Sequence, residues 1–258
     1  MDGHVRSVFE ALGLSGREMV ALVGGGGKTR LMRSLFLDVR KAGLRGAATT
    51  TTRVAEREAG AIGKIHLWRH RQTGVEQPGS MNIDGLFIAG AEIGDGKIEG
   101  ISPETADLLF AVYPVDCLIV EADGAAGRPL KAPADHEPVI PSSATVVVAV
   151  MGLEAVGRPL TCESSFRVDR IRSVTGLEPG DTITPDAIVP LFISGSGLFR
   201  GCSEGARRVA FLNKADISND LAGAVRLADG ILSGSGSRVE RVVVGSVARG
   251  NFFVFGVD

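Results

Sequence analysis

The chain has 258 residues, 44% hydrophobic and 22% charged, which suits one large α/β domain with a sizeable buried core. Its 28 basic and 30 acidic residues leave a formal charge of -2, too little to gather nucleic acid or anionic lipid, and one tryptophan and one tyrosine offer little for stacking on bases. No stretch approaches the roughly 20 apolar residues that span a bilayer, MDGHVRSVFEALGLSGREM lacks a signal-peptide core, and Cys117, Cys162 and Cys202 read as reduced thiols, so a cytoplasmic protein is expected.

Met19 to Val23 is a short apolar strand, followed by GGGGKT. From Lys28 to about Gly43, Leu31, Met32, Leu35, Phe36 and Val39 recur at three- and four-residue spacing, one face of a helix that Gly43 stops. LRGAATTTT predicts a second strand. Residues 56–85 carry no clear period, and LFIAGAEIGDGKIEGI reads as a hairpin around Gly-Asp-Gly. Ser102 to Tyr113 predicts a helix opened by Ser-Pro-Glu. CLIVEADG, ATVVVAVMG, RRVAFLNKAD and RVERVVVGS are nearly continuous apolar runs. Such strands are covered on both faces, hence a mostly parallel sheet with helices on both sides. A helix from Asn219 to Leu232 separates the last two, as a βαβ unit requires. The organisation expected is one nucleotide-binding unit over 1–258, with a hairpin region near 86–101 and a variable insertion near 152–205.

The glycine run decides most of the functional reading. The usual phosphate loop GxxxxGK[ST] fails, because Leu22 holds its first glycine position. The variant GGxGK[ST] fits Gly24, Gly25, Gly27, Lys28 and Thr29, although Val23 stands where that variant usually carries lysine. Gly24 to Gly27 let consecutive N–H groups turn toward one anion at a helix N-terminus. Lys28 then reaches the β- and γ-phosphates and the Thr29 hydroxyl ligates Mg²⁺. A flexible glycine hinge is the competing reading.

Two further signals agree. Glu121 and Asp123 end a buried strand, where a carboxylate can hold Mg²⁺ or position water, and Gly124 could offer its N–H to the γ-phosphate. FLNKAD spells NKxD: Asp216 would accept two guanine donors that adenine lacks, the Lys214 stem would cover the base, and Asn213 would steady the loop. Ser246, ending VVVGS, is placed to contact the guanine carbonyl. Arg128 and Lys131, with His136 nearby, could hold an anionic second ligand or be ordinary charges on a proline-stiffened loop; Arg167, Arg170 and Arg200 are weaker candidates for the same role and read more simply as a solvated face. His66 and His70 have the spacing of two metal ligands on a helix, but their surroundings add no third ligand.

GGGGKT, TTTTR, VEADGAAGRPLKAPADHEPVIP and FLNKAD together resemble the YqeC family of selenium-dependent molybdenum hydroxylase accessory proteins. More broadly, the glutamate-x-x-glycine and NKxD motifs are similar to those of metallocentre-assembly GTPases, from which the chain departs at Leu22 and Val23. It also carries Thr49 to Thr52 where those proteins often place an acid. The resemblance implies a three-layer P-loop NTPase-like sandwich. It further implies a nucleotide-dependent helper in the maturation of a molybdenum-containing hydroxylase, with that hydroxylase or its cofactor-assembly proteins as partners; the motifs themselves point to GTP (or ATP) with Mg²⁺ and slow GTP hydrolysis, and a homodimer stays open. A small-molecule kinase or nucleotidyl-transferring enzyme, and a non-hydrolysing scaffold, are the rival readings.

Overall fold

The structure, a computed structural model, describes residues 3–68, 82–218 and 220–256. The strands are β1 (Gly3–Val5), β2 (Glu18–Gly24), β3 (Gly46–Thr50), β4 (Val54–Ala55), β5 (Lys64–Leu67), β6 (Leu86–Ala89), β7 (Ala91–Gly94), β8 (Lys97–Glu99), β9 (Cys117–Glu121), β10 (Leu130–Lys131), β11 (Val146–Gly152), β12 (Ser165–Phe166), β13 (Arg207–Asn213), β14 (Arg241–Ser246) and β15 (Asn251–Gly256). The helices are α1 (Val8–Ala11), α2 (Lys28–Lys41), α3 (Glu56–Gly60), α4 (Pro103–Val112), α5 (Val168–Thr175), α6 (Pro185–Ile188), α7 (Pro190–Ile193) and α8 (Leu221–Ser233).

Among the described residues, ten strands form one sheet in the order β1-β15-β14-β13-β11-β2-β9-β3-β6-β5. Neighbours from β14 to β5 run parallel, and only the β14–β15 and β15–β1 pairings are antiparallel. Successive side chains point to opposite faces of a strand, and here both faces are apolar. Val20, Leu22, Ile119, Val148 and Phe211 pack with Leu31, Leu35 and Val39 of α2. Met19, Ala21, Val23, Val120 and Leu212 pack with Leu109 of α4 and Leu227 and Ile231 of α8. This is the α/β architecture expected, a mostly parallel sheet between two helical layers.

The helix signals hold locally. The apolar stripe of α2 is buried, and Gly43, at φ +75°, ends it with its N–H on the Arg40 carbonyl. Ser102 caps α4, its Oγ accepting from the Thr105 N–H. One expectation needs correction, and three details go beyond what the sequence offered. The hairpin is only β7–β8; Leu86–Ala89 leaves it and joins the main sheet beside β3 and β5, because four apolar residues fit a buried parallel strand as well as a hairpin arm. The strand in LRGAATTTT ends at Thr50, where the chain turns off the sheet. His66 lies on β5 and not on a helix, and His70 lies outside the described residues. The antiparallel edge made by β15 and β1 was not anticipated. Residues 152–205 carry α5 to α7 and send Leu153, Leu160, Ile171 and Leu191 into the core. Among the described residues no helix is long and apolar enough to cross a membrane.

Candidate functional site

Parallel strands present all their carboxyl ends at one edge, which is where open α/β sheets bind ligands. Here that edge carries a cleft of about 640 Å³, lined by Gly25–Arg30, Glu121, Gly124–Arg128, Asn213, Lys214 and Ser246, and walled further on by Arg53, Glu58 and Lys97. Glycine loop, acidic strand end and NKxD strand end, far apart in sequence, therefore meet at one cavity.

The glycine run is not a hinge. It threads between two other backbones, with Gly25 N–H on the Val150 carbonyl at 2.8 Å and Gly26 N–H on the Arg128 carbonyl at 2.9 Å. Gly24 donates to both oxygens of Asp123 at 2.9 and 3.1 Å. Gly26 sits at φ +75°, and a Cβ there would lie 2.0 Å from the Gly152 nitrogen. One part of the sequence expectation changes accordingly. The N–H groups of Gly24 to Gly26 are spent on protein, so the donors facing the cleft come from the start of α2. Gly27 at φ +115° opens that helix, no side chain among the described residues caps it, and its first turn leaves backbone N–H groups without an intrahelical partner. Such a terminus carries partial positive charge.

Lys28 is almost fully buried and points back along the loop, its Nζ 2.5 Å from the Gly24 carbonyl, 3.0 Å from Asp123 and 3.8 Å from Glu121. The two acids have different jobs. Asp123 is buried between Lys28 and Lys131 (2.9 Å) and accepts twice from Gly24, so its oxygens are committed to bracing the loop. Glu121 instead lines the cleft and accepts from the Thr29 hydroxyl at 3.3 Å. Burial pushes the Glu121 carboxyl up from its ordinary range, against the opposing pull of Lys28. Two hard oxygen donors this close suit a divalent cation such as Mg²⁺.

Lys131 does not reach the cleft. It is fully buried, bonded to the Gly124 carbonyl at 2.5 Å and to Glu137 at 2.7 Å as well as to Asp123. Arg167 closes the chain on Glu137. Burial raises the Glu137 carboxyl, but hydrogen bonds from Arg167 and Lys131 outweigh it and hold it at about 2. An unbroken run Lys28–Asp123–Lys131–Glu137–Arg167 thus leads from the glycine loop to the far side of residues 124–141. His136 is exposed and off the cleft, and Arg170 and Arg200 both pair with Asp135. Of the three residues expected to hold a second ligand, only Arg128 lines the cleft.

At the other end Asn213 is buried and ties two loops together, donating to the Gly26 carbonyl at 2.9 Å and accepting from Val247 N–H at 3.1 Å. Lys214, at φ +64°, pairs with Glu154. Asp216 lies just beyond the cleft lining, on the turn after β13, 3.8 Å from Arg249. Ser246 lines the cleft, and the Gly245 carbonyl accepts from Ala215, which locks the two strand-end loops side by side.

The family model described as YqeC protein matches residues 20–169. An Escherichia coli (strain K12) protein carrying the name uncharacterized protein YqeC is 32% identical over 200 residues, 76% of this chain and 75% of that one. The chain belongs to the YqeC family. The YqeC match takes in the glycine loop, Glu121, Asp123 and the whole buried charge run to Arg167, and stops short of FLNKAD and Ser246. Cleft residues of this YqeC chain that sequence reasoning passed over are Arg30, Arg53, Glu58, Lys97 and Ala248. Arg30 and Arg53 follow directly on the GKT and TTTT motifs, the one signal that could have marked them; Lys97 and Glu58 reach the cleft only through the placement of β8 and α3.

Proposed function

We propose that this YqeC-family protein binds a guanine nucleotide with Mg²⁺ in the cleft, hydrolyses GTP slowly, and serves the maturation of a molybdenum-containing hydroxylase. The observation that carries the nucleotide reading is the convergence, on one cavity, of an uncapped α2 N-terminus with Lys28 and the Asn213–Lys214–Ser246 edge. Asn213 ties the glycine loop to the loop after β14 through Gly26 and Val247, which supports reading the two as parts of one site. In this reading the N–H groups opening α2 and the Lys28 ammonium take the β- and γ-phosphates, with Lys28 exchanging part of its hold on Asp123 for phosphate oxygen. Thr29 and Glu121 would hold Mg²⁺, which supplies charge neutralisation at the γ-phosphate. Asp123 acts as the brace that keeps the loop and Lys28 in place. Lys214 covers one face of the base, and Asp216 reads its edge by giving up Arg249, an exposed partner whose loss costs little. The maturation role rests on the resemblance of VEADGAAGRPLKAPADHEPVIP to the accessory proteins named above. A transfer enzyme using GTP or ATP is the second reading, favoured by the cations at the Arg53 end of the cleft.

The test is Asp216→Asn. Xanthine carries a carbonyl where guanine carries its amine, so the new amide donor matches xanthine and mismatches guanine. The expected result is a fall of about tenfold or more in GTP affinity with a gain for xanthosine triphosphate, measured by competition against a fluorescent nucleotide. An unchanged preference for GTP over ATP would reject the base assignment.

A further inference from the structure

Resting on the nucleotide reading above, we infer that the cleft has a second anion subsite beyond the terminal phosphate, built from Arg53, Lys97 and Arg128, and that it takes a small phosphate monoester. Strand order sets where it lies. Along the carboxyl edge the cleft passes Ser246 of β14, Asn213 of β13, the loop after β2, Glu121 of β9 and then the segment following β3. A nucleotide with its base at the β13–β14 end and its phosphates at Lys28 uses the first part of that order. Arg53 and Lys97 lie on the other side of Glu121, so the rest of the cleft begins where the nucleotide ends.

This far wall is built, not draped. β8 pairs with both β4 and β7, setting Ala55 opposite Lys97, and Glu56 N–H bonds the Gly96 carbonyl at 2.8 Å. The hairpin sits directly on the end of β3: a Cβ on Gly100 would lie 2.2 Å from the Thr50 carbonyl oxygen. Across from it, Arg128 is anchored by its own backbone, whose carbonyl accepts from Gly26 at 2.9 Å.

Charge gives the ligand class. Lys28 is compensated by Asp123, and Lys214 by Glu154. The side chains of Arg53, Lys97 and Arg128 make no hydrogen bond or ion pair with any described residue, although all three line the same cavity; the same holds for Arg30, which lies on α2 and not on this wall. Glu58 adds one opposing charge to that wall. Uncompensated cations lining a concave site concentrate anions, and arginine forks match phosphate oxygens in pairs. Three cations against one acid favour a dianion over a single carboxylate.

The probe is phenyl phosphate, titrated calorimetrically into the full chain saturated with Mg²⁺ and the β,γ-imido analogue of GTP, so that the γ-phosphate position is filled. We expect wild type to bind it and Arg53→Ala/Lys97→Ala to bind at least about tenfold more weakly, with affinity for the GTP analogue changed less than about twofold. Equal binding by the two proteins, or none by wild type, overturns the proposal. So does a double variant that loses the GTP analogue instead, because the cations then serve the nucleotide's own phosphates. Benzoate binding more tightly than phenyl phosphate would overturn the phosphate assignment. If the GTP analogue binds neither protein, the nucleotide reading fails. The same phenyl phosphate titration without it then decides the subsite alone, a loss in the double variant supporting it and no loss refuting it.

Discussion

Replacing Lys131 with methionine separates a structural brace from a ligand contact. The sequence offers Lys131 as a cation for a second substrate, whereas in the fold its Nζ is buried among Asp123 at 2.9 Å, Glu137 at 2.7 Å and the Gly124 carbonyl at 2.5 Å. Methionine keeps most of the stem's volume, so the cost is electrostatic rather than a cavity. Removing one partner of a buried ion pair typically costs about 3–5 kcal/mol. Both acids here retain another cation, Lys28 for Asp123 and Arg167 for Glu137, which places the expected loss near the lower end, about 3 kcal/mol. Urea unfolding would read this directly as a lower midpoint with little change in slope. Adding Glu137→Gln to the variant should recover part of the loss, because one stranded negative charge is removed. A loss below about 1 kcal/mol, with anion or nucleotide binding abolished, would refute the brace and return Lys131 to the ligand.

Gly26→Ala should lower stability by about 3 kcal/mol or more, since it combines a left-handed backbone with a Cβ 2.0 Å from Gly152 nitrogen. An unchanged thermal midpoint would contradict the threaded loop. Glu121→Gln should do the opposite. Its folded-state pKa is raised by burial, so the ionised carboxylate costs stability at neutral pH, and that cost disappears as pH falls through the folded value. The variant should melt higher than wild type at neutral pH, lose that advantage in acid, and bind Mg²⁺-nucleotide more weakly. A lower melting point at neutral pH would show that the attraction of Lys28 and the Thr29 hydrogen bond, not burial, dominate there.

What could be read from sequence followed from periodicity and covalent neighbourhood. The runs at Val146–Gly152, Arg207–Asn213 and Arg241–Ser246 are apolar on both faces, and only a strand between two helical layers needs that. Gly-Gly-Gly-Gly-Lys-Thr after a strand likewise announces its loop. Leu86–Ala89 was legible as a strand but not in its partner, because four residues carry no information on pairing direction. The division of labour between Glu121 and Asp123 could not be read, since it is set by Lys131, Thr29 and Gly24 arriving from three other elements. Asn213 was expected to steady its own loop; that it also holds Gly26 depends on β13 and β2 flanking β11. The cationic far wall escaped notice for the same reason, as Lys97 reaches the cleft only through the seating of β8 beside β4.

Calorimetric titration with GTP, GDP, ATP and ADP, each with Mg²⁺, into wild type and Lys28→Ala bears on the nucleotide site as a whole. Guanine-selective binding that is lost in Lys28→Ala is the predicted result, and would make the α2 terminus and the Asn213–Ser246 edge one site. Adenine preference would contradict the role given to Asp216. No binding of any of the four would mean that the cleft is not a nucleotide site.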